Sequence, residues 1–208
     1  MKKNLLSFLL LCNIGTQAQN TKYPIYVRGD FGISNIKGNS GKGKSAFALG
    51  IGAETFLTFK EIKDASIILN PNLSYLHTGY DNTGGGKVKV NYLSLGLPVC
   101  LFVGDVGKSL GLFFGAGPFI NVATSGKFRN TAIDDFKAMG FGNGTADNRK
   151  ATDFGLILKS GMRVEKVNMG LQYNIGTANL IPKDRITNGS YIKSRNFLFY
   201  ISYKIGKR

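Results

Sequence analysis

The most regular feature of this chain is the alternation of apolar and polar residues over stretches of about ten positions, the period of a strand with two unlike faces. In 153–164, Phe154, Leu156, Leu158, Met162 and Val164 share one parity, and Asp153, Gly155, Lys159, Gly161 and Arg163 share the other. The same alternation recurs in 25–34, 46–57, 66–76, 90–102, 110–123, 167–176 and 196–205. Charges fall in mid-strand opposite the apolar face, at Arg28, Asp30, Glu54, Lys159 and Arg163. A soluble sheet rarely buries such residues. A tube whose outside meets hydrocarbon and whose inside holds paired charges resolves the conflict. The expected fold is therefore all-β: an eight-stranded antiparallel up-and-down transmembrane β-barrel.

Spacing between the strands supports the same fold. Connections at 35–45, 77–89, 124–152 and 177–195 are long, and those at 58–65, 103–109 and 165–166 are short. Outer-membrane barrels alternate long external loops with short periplasmic turns, and an even strand number returns both termini to the periplasm. Pro98 and Pro118 lie inside expected strands. Proline lacks the N–H of the ladder, so bulges are expected at both.

Composition adds constraints. The chain has 208 residues, 28 of them Gly, no Trp and a mean hydropathy of −0.04, too polar for a helical membrane protein. At the N-terminus, Lys2 and Lys3 precede an apolar run and Thr16-Gln17-Ala18. This reads as a signal peptide over 1–18, cut near Ala18, with 19–208 as the barrel domain. Cys12 raises a lipoprotein alternative, but Leu11 stands before it, where lipidation wants a small residue. Cys100 would be the one cysteine left after cleavage and has no internal disulfide partner.

These patterns run through Val27-Arg28-Gly29-Asp30-Phe31-Gly32-Ile33-Ser34-Asn35-Ile36, Tyr92-Leu93-Ser94-Leu95-Gly96-Leu97-Pro98, Gly115-Ala116-Gly117-Pro118-Phe119, Asp153-Phe154-Gly155-Leu156 and Leu171-Gln172-Tyr173-Asn174-Ile175-Gly176. In that order and spacing the mature chain resembles the PorT-like outer-membrane barrels common in Bacteroidota. The resemblance implies an eight-stranded barrel, and in some relatives a secretion-accessory role. Such barrels often end in an aromatic residue, whereas this chain ends Lys207-Arg208; Ser94 stands where relatives often carry Glu.

The formal charge is +15, and much of it lies in the long loops. Lys37, Lys42, Lys44, Lys127, Arg129 and Arg185 are candidate contacts for lipopolysaccharide phosphates. Export argues against nucleic acid as the partner. Gly38 to Ser45 fits the P-loop spacing, but an alternating strand pattern follows it where a P-loop needs a helix. His77, the only histidine, has Thr78 and Tyr80 beside it at the outer rim, which leaves open an enzyme acting on lipid A.

The expected function is non-enzymatic: a porin-like envelope barrel with a plugged polar lumen and basic loops, and no cofactor or metal. A secretion-accessory barrel acting through a secretion-system protein and a lipid A-modifying enzyme are the alternatives. The expected partners are outer-membrane lipid, lipopolysaccharide and, during insertion, the barrel-assembly machinery.

Overall fold

The computed structural model describes residues 24–39, 43–82, 85–104, 110–187 and 189–205. Among them, eight strands form a closed antiparallel ring. The strands are β1 (Ile25–Gly38), β2 (Gly43–Thr55, continued by Leu57–Ile62), β3 (Ala65–Leu69, continued by Asn72–Asn82), β4 (Lys87–Gly96, continued by Val99–Val103), β5 (Leu110–Arg129), β6 (Thr152–Val164), β7 (Val167–Gly176) and β8 (Ile192–Ile205). Each pairs with its sequence neighbour, and β8 pairs along β1 from Ile25↔Ile205 to Gly38↔Ile192 to close the tube. Closure leaves no sheet edge unpaired, which a backbone in hydrocarbon requires.

The expected strands are present; 167–176 keeps its bounds and several others are longer. β1, β3 and β5 run past their apolar stretches to Gly38, Asn82 and Arg129, so the expected long loops begin later. At the other end, the expected 58–65 connection shrinks to a turn at Lys63 and Asp64, with Lys63 at φ 47°. Apolar alternation marks only the hydrocarbon-spanning band. The ladder itself needs only backbone groups, and it continues beyond that band. Within the P-loop-like segment, Lys44 and Ser45 lie in β2 opposite Asp81 and Tyr80, in extended backbone and not at a helix start. Positions 40–42 and the signal-peptide reading over 1–18 lie outside the described residues.

The proline expectation is corrected. No bulge occurs at Pro98 or Pro118: Gly96 faces Phe119 and Val99 faces Ala116, so two residues oppose two across the break. Register shifts occur instead between Ser45 and Leu49, Thr58 and Lys60, and Asn91 and Tyr92. The prolines form a staircase across adjacent strands. Pro71, Pro98 and Pro118 each accept through their carbonyl, from the N–H of Thr55 (3.0 Å), Asn70 (2.9 Å) and Leu97 (3.0 Å). Each forms the half of a strand pair that needs no proline N–H. At the first step the Asn70 side-chain amide supplies the missing donor, reaching the Thr55 carbonyl at 2.7 Å.

Inside, the tube is filled in layers. Tyr26, Phe56, Ile68, Cys100, Phe102 and Phe113, with Tyr200 above them, pack an aromatic cluster toward the end that holds the chain termini. Charged and amide side chains fill the middle. Val88, Val90 and Tyr92 close the loop end against Phe128, Met139 and Phe141. Outside, Val27, Phe31, Phe47, Leu95, Phe114, Leu158 and Phe197 belong to a continuous exposed apolar belt.

Candidate functional site

The interior site follows from parity. Residues opposite the belt point inward, and Arg28, Asp30, Glu54, Lys159 and Arg163 are all at most 3% exposed. The guanidinium of Arg28 donates to Asp30 Oδ1 from Nε (2.8 Å) and Nη2 (2.5 Å), and Nη2 also donates to Gln172 Oε1 (2.7 Å). Arg28 Nη1 donates to Glu54 Oε2 at 3.3 Å. Lys159 Nζ donates to the same Glu54 oxygen at 2.6 Å and to Asn70 Oδ1 at 2.5 Å. Ser202 Oγ occupies the other Glu54 oxygen at 2.6 Å.

Arg163 is one layer lower. Its Nε donates to Asn168 Oδ1 (2.9 Å), Asn168 Nδ2 donates to Ser202 Oγ (3.1 Å), and Ser202 leads to Glu54. The five expected residues thus form one connected network. Rings complete the cage: Tyr200 has both Arg28 and Lys159 at 4.3 Å from its centroid, and Arg163 lies 4.5 Å from Phe56 and 5.0 Å from Phe102. Glycine makes room for Tyr200. A methyl at Gly161 would stand 2.5 Å from Tyr200 Oη, and one at Gly170 2.8 Å from it.

The neutral connectors Gln172, Asn168 and Ser202 lie on inward positions that the alternation marks, but nothing in their residue type singles them out. Arg149 left no such signal. It belongs to the long loop after β5, yet is only 6% exposed, with its guanidinium 5.8 Å from the Tyr80 ring and 6.0 Å from the Tyr92 ring. Beneath it, a cavity of about 10 Å³ lies among Asp153, Ser194 and Asn196. The loops above are stitched together by Lys150 N–H to the Leu180 carbonyl (2.9 Å) and Arg185 Nη1 to the Asp147 carbonyl (2.8 Å).

The outer face of β3, β4 and β5 is ordered in rows by register. Tyr75, Leu93 and Val122 form an apolar row. His77, Asn91 and Ser125 come next, with His77 Nδ1 2.7 Å from Asn91 Oδ1 and Asn91 Nδ2 donating to Ser125 Oγ at 2.8 Å. Lys89 and Lys127 face each other in the following row, and Lys87 and Arg129 in the one after. Lys44 joins that last row through Asp81. The other expected phosphate contacts are dispersed: Lys37 lies across the barrel opposite Lys193, Arg185 is in the roof, and Lys42 is outside the described residues. The hydroxyls expected beside His77 do not join it. Thr78 and Tyr80 have inward parity, and Ser125 is bonded through Asn91. Among the described residues, no group of three or more His, Cys, Asp or Glu could hold a metal ion.

The family model for the outer membrane protein beta-barrel domain matches residues 5–204. The chain belongs to this outer-membrane barrel family. Solved structures similar to this barrel include the attachment invasion locus protein Ail of Yersinia pestis, in complex with the heparin analogue sucrose octasulfate. It has 10% identity and a TM-score of 0.42, over 88% of this chain and 99% of that one. Neisserial surface protein A is another, at 15% identity and a TM-score of 0.46, over 86% and 96%. No curated protein matches the chain. Membership assigns the barrel to the outer membrane. The exposed belt is then its hydrocarbon-facing surface, and the mid-strand charges of this outer-membrane barrel point away from lipid.

Proposed function

We propose that this barrel is a non-enzymatic structural and interaction protein of the envelope. It is a plugged cylinder that conducts no solute, anchored by its belt, with basic loops on the outer face and both termini in the periplasm after loss of 1–18. The observation that carries this reading is the filled interior. Lys159 bonds Glu54 and Arg28 bonds Gln172 across the bore, Arg28 also reaches Glu54, an aromatic layer lies below them, and Arg149 caps the bore above. An eight-stranded ring leaves room for side chains and little else. The His77 row supports the non-enzymatic reading, because its hydroxyl is bonded to an amide and not to the imidazole.

The test combines a planar bilayer with a deletion strain. The purified barrel should give no stepwise conductance, and the deletion should sensitise cells to detergent while leaving lipid A mass and secreted proteins unchanged. Discrete conductance steps would refute the plugged cylinder. Loss of secreted cargo would favour the PorT-like accessory role, and a lipid A mass shift would favour an enzyme.

A further inference from the structure

We infer that the membrane-facing side of β3, β4 and β5 holds the phosphorylated head group of an outer-leaflet glycolipid, between Lys87, Lys89, Lys127 and Arg129, with Phe136 at its edge. This rests on the outer-membrane assignment and deepens the envelope role proposed above.

The charge arrangement is costly without an anion. Lys89 faces Lys127, and Lys87 faces Arg129, as directly opposed cross-strand pairs. Like charges in that position repel. Asp81 answers only Lys87, at 3.0 Å. Among the described residues, no carboxylate lies within ion-pair distance of Lys89, Lys127 or Arg129. Phe136 sits against the same face, with Lys89 Nζ 5.0 Å and Arg129 Cζ 5.1 Å from its ring centroid. The patch therefore has several cations converging beside one aromatic face, a combination suited to phosphate borne on an apolar-edged sugar.

Position selects a membrane lipid over a soluble anion. Lys89 has the same outward parity as Leu93 and Leu95, so it faces the surrounding bilayer and not the barrel axis. At a rise of about 3.4 Å per residue, it stands about 14 Å along the strand beyond Leu93. With the usual barrel tilt this is about 10 Å above the apolar row. That is head-group depth. The intervening His77–Asn91–Ser125 row makes the polar transition between hydrocarbon and cations. A soluble polyanion would instead meet charges on the loop tips.

The experiment uses the full barrel refolded in detergent micelles, with native mass spectrometry of complexes with bisphosphorylated lipid A. Wild type should retain the lipid, and dephosphorylated lipid A should be lost. The triple variant Lys89→Gln, Lys127→Gln, Arg129→Gln should weaken retention about tenfold or more. The charge-matched variant Lys60→Gln, Lys63→Gln, Lys166→Gln, at the opposite rim, should bind as wild type does. Equal losses in the two triple variants would overturn the site, as would equal retention of dephosphorylated lipid. Displacement of the lipid by millimolar pyrophosphate would show a free-phosphate site instead and would also overturn it. Heat-modifiable migration reports folding, and Lys89→Glu alone repeats the test should the triple variant misfold. Failure here would leave the conductance and deletion results standing, so the two readings fail separately.

Discussion

Lys159 and Glu54, 105 residues apart in the chain, meet at 2.6 Å with neither side chain exposed. β2 and β6 are not neighbours in the ring, so this bond spans the bore. Two buried charges repay their desolvation only when paired, and removing one strands the other. Glu54→Gln should therefore destabilise the folded barrel by about 3–5 kcal/mol. The double variant Glu54→Gln, Lys159→Met should recover part of that loss, since Arg28 keeps Asp30. Urea titration in lipid vesicles measures both; an additive double variant would show that the pair is uncoupled.

Asn70 serves two partners, donating to the Thr55 carbonyl and accepting from Lys159. Asn70→Ala should cost about 1–3 kcal/mol for each group left unsatisfied. Pro71 stands opposite Thr55 and lacks the donor that Asn70 replaces. Adding Pro71→Ala supplies an N–H toward Thr55, so the Asn70→Ala penalty should shrink in that background. An unchanged penalty in the double-mutant cycle would remove Asn70 from this role.

Leu158 and Lys159 are adjacent, with Leu158 43% exposed on the belt and Lys159 buried inside. Leu158→Arg should cost about 2–4 kcal/mol, the price of a cation at mid-membrane. The same urea titration checks it. A cost near zero would place Leu158 away from hydrocarbon.

His77→Ala should leave lipid A mass unchanged in intact cells. The imidazole's partner is the Asn91 amide oxygen, and the hydroxyl of its row is bound elsewhere. A mass shift abolished by this substitution would identify a catalytic role that the static geometry hides.

The sidedness of this barrel was legible residue by residue. Arg28, Glu54 and Lys159 could be assigned to the interior because a charge opposite an apolar face has few other places to go. Their partnership was not legible. Gln172, Asn168 and Ser202 resemble any polar residue of that parity, and which ones touch depends on stagger around the ring. Pro98 and Pro118 misled for a related reason. A proline disrupts one hydrogen bond, and whether the strand bulges depends on what its neighbours offer.

Alternation at period two by itself determined the strands, their inward faces and the count of eight, because a side chain between lipid and lumen has only two directions available. Tertiary structure alone decided the rest: the Arg149 cap, the proline staircase, and the convergence of Lys87, Lys89, Lys127 and Arg129 on one side. These depend on register and loop return, which bring together residues from different strands. No local pattern encodes that, because it follows from closing the ring.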